Sequence, residues 1–126
     1  MNLLLDTHIL LWWLADDSHL PETAHDAITS PDNTILVSAA TAWEIAIKKA
    51  AGRLEAPDDL IDAINASDFD TLPITATHAL VAGSLPAHHS DPFDRMLIAQ
   101  AQIEHLKLVS VDDRFPHYDI ELLALT

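Results

Sequence analysis

Four acidic residues scattered along the chain, Asp6, Glu44, Asp94 and Asp112, have the side-chain type and the placement to hold a divalent cation. Carboxylate oxygens are hard ligands, and a site made of them selects Mg²⁺ or Mn²⁺ over softer metals. One or two such cations can activate a water and stabilise the oxygen departing from a phosphodiester, with paired metals about 4 Å apart. That chemistry requires four distant segments to deliver their acids to one point.

The hydrophobic pattern supplies elements that can do so. Residues 2–5 (NLLL) read as a buried strand ending at Asp6, and residues 7–15 (THILLWWLA) as a helix. A second helix runs from Leu20–Pro21–Glu22 to about Ser30, with a turn at Pro31–Asp32–Asn33. Residues 34–37 (TILV) form the next strand. Ala39 to Ala51 is a helix stopped by Gly52, with Lys48 and Lys49 in its last turns as the helix dipole favours. A short helix begins near Pro57–Asp58–Asp59 and reaches Ala66. Residues 71–74 (TLPI) are a strand confined to an edge by Pro73. Helices over 75–85 and 91–105 follow, then strands over 107–111 and 118–123. Strands alternating with helices imply one α/β domain over residues 1–126, a mostly parallel sheet with helices on both faces. In such a sheet the strand carboxyl ends share one edge, where ligands bind. Asp6 and Asp112 fall just beyond strands, and Glu44 and Asp94 fall in the first turns of helices, so all four can meet there.

Each acid also has an ordinary explanation. Asp6 could cap the helix after it. Glu44 fits a Thr41-x-x-Glu44 capping box. Asp91 before Pro92 is a strong cap and first-turn pair, with Asp94 in the same turn. Asp112–Asp113 could be a turn. Two details favour a site. Asp94 shares its helix face with Leu97, Ile98 and Ala101, so it faces the sheet, and Asp6 follows three leucines. Semi-buried carboxylates are costly unless compensated, and each like-charge pair at roughly 5 Å costs on the order of 3 kcal/mol at an effective dielectric near 20. A divalent cation removes that repulsion. Arg95 beside Asp94, Lys48 one turn after Glu44, and Arg114 after Asp112 are placed to meet substrate phosphates. The competing reading makes Glu44–Lys48 and Asp91–Arg95 plain i,i+4 pairs.

The formal net charge is −14 across 126 residues, with only six lysines and arginines. Alone, that favours a basic partner or a cation-loaded site over a polyanion. The hydrophobic fraction of 49% and the two glycines argue for a folded domain. There is no cysteine for a disulfide or thiolate site, no basic start for a signal peptide and no run apolar enough to span a membrane. A cytoplasmic protein is expected.

The segments LLLDTHILLWW, SAATAWEIAIKKAAGRL, HHSDPFDRMLIAQAQ and LVSVDDRFPHY resemble the PIN-domain nucleases, specifically the VapC-type toxins of type II toxin–antitoxin pairs. The resemblance covers essentially the whole chain, and its DPFDRMLIAQA and SAATAWEIAIK segments are the specific ones. By position it makes Asp6, Glu44, Asp94 and Asp112 the four catalytic, metal-holding acids, and puts Ser110, expected as a further substrate contact, where such proteins often carry Thr or Ser beside the last acid. Asp91 assists or merely caps its helix. The resemblance further implies Mg²⁺- or Mn²⁺-dependent cleavage of RNA, a homodimer, and neutralisation by a cognate antitoxin. An acidic surface suits a basic segment of that antitoxin.

Other residues admit plainer readings. Trp43, with Ala46, Ile47 and Ala50 on its side of the helix, points to core or dimer packing rather than base stacking. Trp12 and Trp13 diverge, so one can reach an interface. His8, two residues after Asp6, is placed to contact substrate, to pack or to face solvent. His88–His89 lack further ligands at helical spacing and read as a loop beside the site, not a zinc centre. A haloacid-dehalogenase-type phosphatase also begins with a strand ending in Asp, but wants a second Asp where His8 stands. A receiver-like regulatory domain would want paired acids there. A catalytically inert interaction module remains open.

Overall fold

Leu3, Leu4 and Leu5 are all fully buried, because the strand they form is covered by helices on both faces. The computed structural model describes residues 1–125. Its elements run β1 (Asn2–Leu5), α1 (Thr7–Leu14), α2 (Glu22–Thr29), β2 (Thr34–Ser38), α3 (Ala39–Ala50), α4 (Leu60–Ala66), β3 (Asp70–Leu72), α5 (Ala76–Ser84), α6 (Pro92–Glu104), β4 (Lys107–Val109) and β5 (Glu121–Leu122).

The five strands pair in parallel in the order β3-β2-β1-β4-β5. Alternate side chains of β1 feed two separate cores. Leu3 and Leu5 pack with Ile9, Leu10, Ala24, Ile28, Ile45, Ile64 and Phe69 on one face. Leu4 packs with Leu97, Ile98, Ala101, Leu108 and Phe115 on the other. The period-two alternation of a strand therefore places α1 to α4 on one side and α6 on the other. Sheet order reverses between β1 and β4, and the carboxyl edge beside that reversal is where an open α/β sheet leaves a crevice.

Local chemistry sets the element ends. Helix α3 finishes in a Schellman arrangement, with Gly52 N–H donating to Lys49 O at 3.0 Å and Arg53 N–H to Lys48 O at 2.8 Å. Gly52 has φ +69°, the left-handed conformation glycine adopts without strain. Strand β3 stops before Pro73 and lies at the sheet edge, as proline dictates. The last two strands are shorter than expected. Pairing in β4 ends at Val109, and a single 3₁₀ turn at Phe115–His117 precedes a two-residue β5. The segment between β4 and β5 turns so as to bury Phe115 and Tyr118 instead of extending the ladder. Among the described residues no helix is long and apolar enough to cross a membrane.

Candidate metal centre

Asp6 lies one residue beyond β1, and its backbone N–H still donates to Val109 O at 3.1 Å. Its carboxylate is 5% exposed. Oδ1 caps α1 by accepting from Ile9 N–H at 2.9 Å, while Oδ2 accepts from the Ser110 hydroxyl. Capping thus engages one oxygen and leaves the other on the site side. The same Ser110 oxygen accepts from Asp112 N–H at 3.0 Å, so one hydroxyl ties the ends of β1 and β4 together.

Glu44 is also 5% exposed. Helix α3 is capped by Ser38 rather than Thr41, so no capping box involves Glu44. Its Oε1 accepts from Thr7 Oγ1 and its Oε2 from Lys48 Nζ, each at 2.5 Å. Asp94 stands in the first turn of α6. The cap there belongs to Asp91, whose Oδ1 accepts from Phe93 N–H at 2.8 Å and Asp94 N–H at 3.1 Å. Asp112 is gripped by Arg114, through Nε to Oδ1 at 3.1 Å and Nη2 to Oδ2 at 2.8 Å.

All four acids line one cavity of about 170 Å³, together with Thr7, His8, Lys48, Asp91 and Arg114. A larger hollow of about 630 Å³, around Trp13, Asp17 and His25, contains none of them. Five carboxylates face two cations, and the electrostatics record the crowding. Burial, followed by the charges of Asp91, Glu44, Asp6 and Asp112, pushes the Asp94 carboxyl up to about 7. Burial also raises Asp6, against the opposing hydrogen bonds from Ser110 and Ile9. The Arg114 hydrogen bond holds Asp112 below its ordinary value.

Residues 3–121 match the PIN domain family. The chain belongs to the PIN-domain family. Over 118 residues it is 34% identical to ribonuclease VapC22 of Mycobacterium tuberculosis, covering 90% of this chain and 88% of that protein. In fold it matches VapBC2 from Rickettsia felis bound to a DNA fragment from its promoter, with TM-score 0.71, 16% identity, and 98% of both chains covered. It also matches a toxin–antitoxin complex from Klebsiella pneumoniae, with TM-score 0.66, 20% identity, and 98% and 97% covered.

Within this PIN domain the phosphate-facing expectations fare unevenly. Lys48 and Arg114 do line the acidic cavity, though each is paired with an acid, Lys48 in the i,i+4 arrangement. Arg95 turns elsewhere. Its guanidinium donates to the carbonyls of Ala82, Leu85, Pro86 and His89 at 2.8–3.1 Å, bracing the connection between α5 and α6. Asp91 is on the opposite side of that account: it caps the helix and does not pair with Arg95. The expected substrate contact at Arg95 is therefore replaced by a structural one. Arg95→Ala is expected to lower stability by about 2–4 kcal/mol, because several charge-assisted bonds to carbonyls are lost, and urea denaturation checks this. Ser110 is likewise committed to Asp6 and Asp112 rather than open to substrate.

Two residues at the site carry no sequence expectation of a role. Thr7 holds Glu44 across from α1, and its only signal is adjacency to Asp6. His89 is 2% exposed, with Nε2 at 2.8 Å from Asp94 Oδ2 and 3.6 Å from Asp112 Oδ2. These three side chains present ligand-type atoms within 4.8 Å of one another. Spacing could not reveal this, because Asp112 arrives from the loop after β4. Trp43 does not join the core. It is 62% exposed on α3, edge-on to Phe93 at 5.3 Å, beside the half-exposed Ile47.

Proposed function

We propose that this PIN domain is a divalent-metal-dependent endoribonuclease, hydrolysing RNA phosphodiester bonds as the toxin of a type II toxin–antitoxin pair. The observation that carries the reading is Asp94, a carboxylate raised to about 7 by burial and four neighbouring acids at the carboxyl edge of the sheet. Such crowding is sustained where a cation binds, and oxygen donors fit Mg²⁺ or Mn²⁺. Asp6, Glu44, Asp94 and Asp112 would hold it. When bound, the cation supplies positive charge that polarises the attacking water and the departing oxygen.

The chain's own residues perform the remaining work. Ser110 and Thr7 aim Asp6 and Glu44 into the cavity. Lys48 and Arg114 offset part of the negative field, so that a substrate phosphate can approach, and both are within reach of one. The name of the Mycobacterium tuberculosis relative supports RNA as substrate. Purified protein incubated with a mixed RNA pool and, separately, with p-nitrophenyl phosphate tests this. RNA fragments with Mg²⁺ and no phosphate release are expected; phosphate release without RNA cleavage would favour a dehalogenase-type phosphatase.

The matched complexes support an antitoxin partner. The net charge of −14 suits a basic antitoxin segment, so the complex is expected to weaken about tenfold or more between about 50 and 500 mM salt. Titration calorimetry at the two salt levels checks it, and an unchanged affinity would contradict the electrostatic version. Exposed Trp43 and Ile47 on α3 support a homodimer.

A further inference from the structure

His89 sits in the connection between α5 and α6, where contacts to its backbone and its ring hold it against the site. Its backbone N–H donates to the Tyr118 hydroxyl at 2.8 Å, and that hydroxyl donates onward to Pro86 O at 2.7 Å. The imidazole packs against Phe115 with ring centres 5.9 Å apart. Nδ1 accepts from Asp91 N–H at 3.2 Å. A nitrogen that faces a donor must present its lone pair, so in the neutral ring the hydrogen lies on Nε2. That Nε2 is fully buried and directed at the acids. It lies 2.8 Å from Asp94 Oδ2 and 3.6 Å from Asp112 Oδ2, off the line of a well-formed hydrogen bond to either.

A histidine that ligates a metal shows the reverse arrangement. It offers a lone pair to the ion and donates its other N–H to a carboxylate or carbonyl. Here the Asp91 N–H blocks a hydrogen on Nδ1, which closes that arrangement to Nε2. We propose that His89 is a positioning residue of the metal centre, its Nε2–H shared between Asp94 and Asp112 so that the two carboxylates are held at the spacing a cation needs. This rests on the metal-centre reading above. Among the described residues the Asp94 carboxylate has no arginine, lysine, hydroxyl or backbone N–H partner, so the imidazole is the group that fixes its rotamer. Asp112, already held by Arg114, is drawn toward Asp94 by the same donor.

The test is Mn²⁺ binding by titration calorimetry to the full chain, wild type against His89→Leu and His89→Gln. Outer-shell partners of metal ligands typically govern affinity by 10–100-fold, so His89→Leu is expected to weaken Mn²⁺ binding at least about tenfold. His89→Gln keeps an N–H donor near the same place and is expected to recover most of that loss. Melting curves of the metal-free variants separate a misfolded leucine variant from a folded one with a loosened site. Equal affinity in a folded His89→Leu variant overturns the proposal, while no Mn²⁺ binding by wild type overturns the metal centre itself.

A second measurement needs no variant. Histidine-selective ¹⁵N spectra of the wild type are expected to show the hydrogen on Nε2 both before and after Mg²⁺ addition. Loss of that hydrogen on Mg²⁺ addition would make His89 a direct ligand and sink the positioning role.

Discussion

Asp94→Asn is expected to abolish metal-dependent RNA cleavage while making the metal-free protein more stable at pH 8. The substitution keeps the shape of a carboxylate but removes the charge that a hard cation needs. A loss of at least about a hundredfold in kcat/KM is expected, equivalent to about 2.7 kcal/mol. The gain in stability has the same origin. With its carboxyl raised to about 7 from 3.8, Asp94 is unfavourably ionised at pH 8 by as much as about 4 kcal/mol, and a gain of about 1–3 kcal/mol is expected. An acid retained only as a first-turn helix residue would show the opposite pair of results, intact activity and slightly lower stability. Cleavage assays and chemical denaturation of the same preparation distinguish the two.

The metal-free protein should also lose stability as pH rises. A carboxyl whose folded value is raised binds its proton more tightly folded than unfolded. The stability this contributes is fully present below 3.8 and is lost as pH rises through about 7. Asp6 acts in the same direction, whereas Asp112, lowered by Arg114, acts the other way from an exposed edge. Between about pH 5 and pH 8 a net fall of about 2–4 kcal/mol is expected without metal. Mg²⁺ at a hundredfold excess over its dissociation constant should restore about 2.7 kcal/mol at pH 8. Thermal melts across that range, with and without Mg²⁺, read both effects. General repulsion among the many acids contributes to the slope, so Asp94→Asn serves as the control and should flatten its own share. A profile that rises with pH and ignores Mg²⁺ would contradict the account.

Sequence pattern alone placed most of the scaffold, because the core-forming runs are unambiguous. The three consecutive leucines of β1 have no polar face to offer solvent, which forces helices onto both sides of the sheet. Asp91–Pro92 fixed the start of α6, and with it the face on which Asp94 stands. Strand ends were less legible. Pairing beyond Val109 depends on how Phe115 and Tyr118 bury themselves, and nothing in KLVSV announces that. Side-chain pairings between elements were hidden for a similar reason. Arg95 looked available to phosphate until the carbonyls of the α5–α6 connection were seen to occupy its donors. His89 looked like part of a loop because its partners, Asp94 and Asp112, reach it from a helix and from the loop after β4. Glu44 seemed explicable as a capping residue, but Ser38 takes that position and frees Glu44 to face Asp94.

The most direct test of the central claim is RNA cleavage by wild-type protein that has been stripped with chelator, dialysed and then titrated with Mg²⁺, alongside Asp6→Asn. The account predicts no fragments from the stripped protein, fragments returning as Mg²⁺ is added, and none from Asp6→Asn at any Mg²⁺ concentration. Cleavage that persists in the stripped protein, or in the asparagine variant, would contradict it.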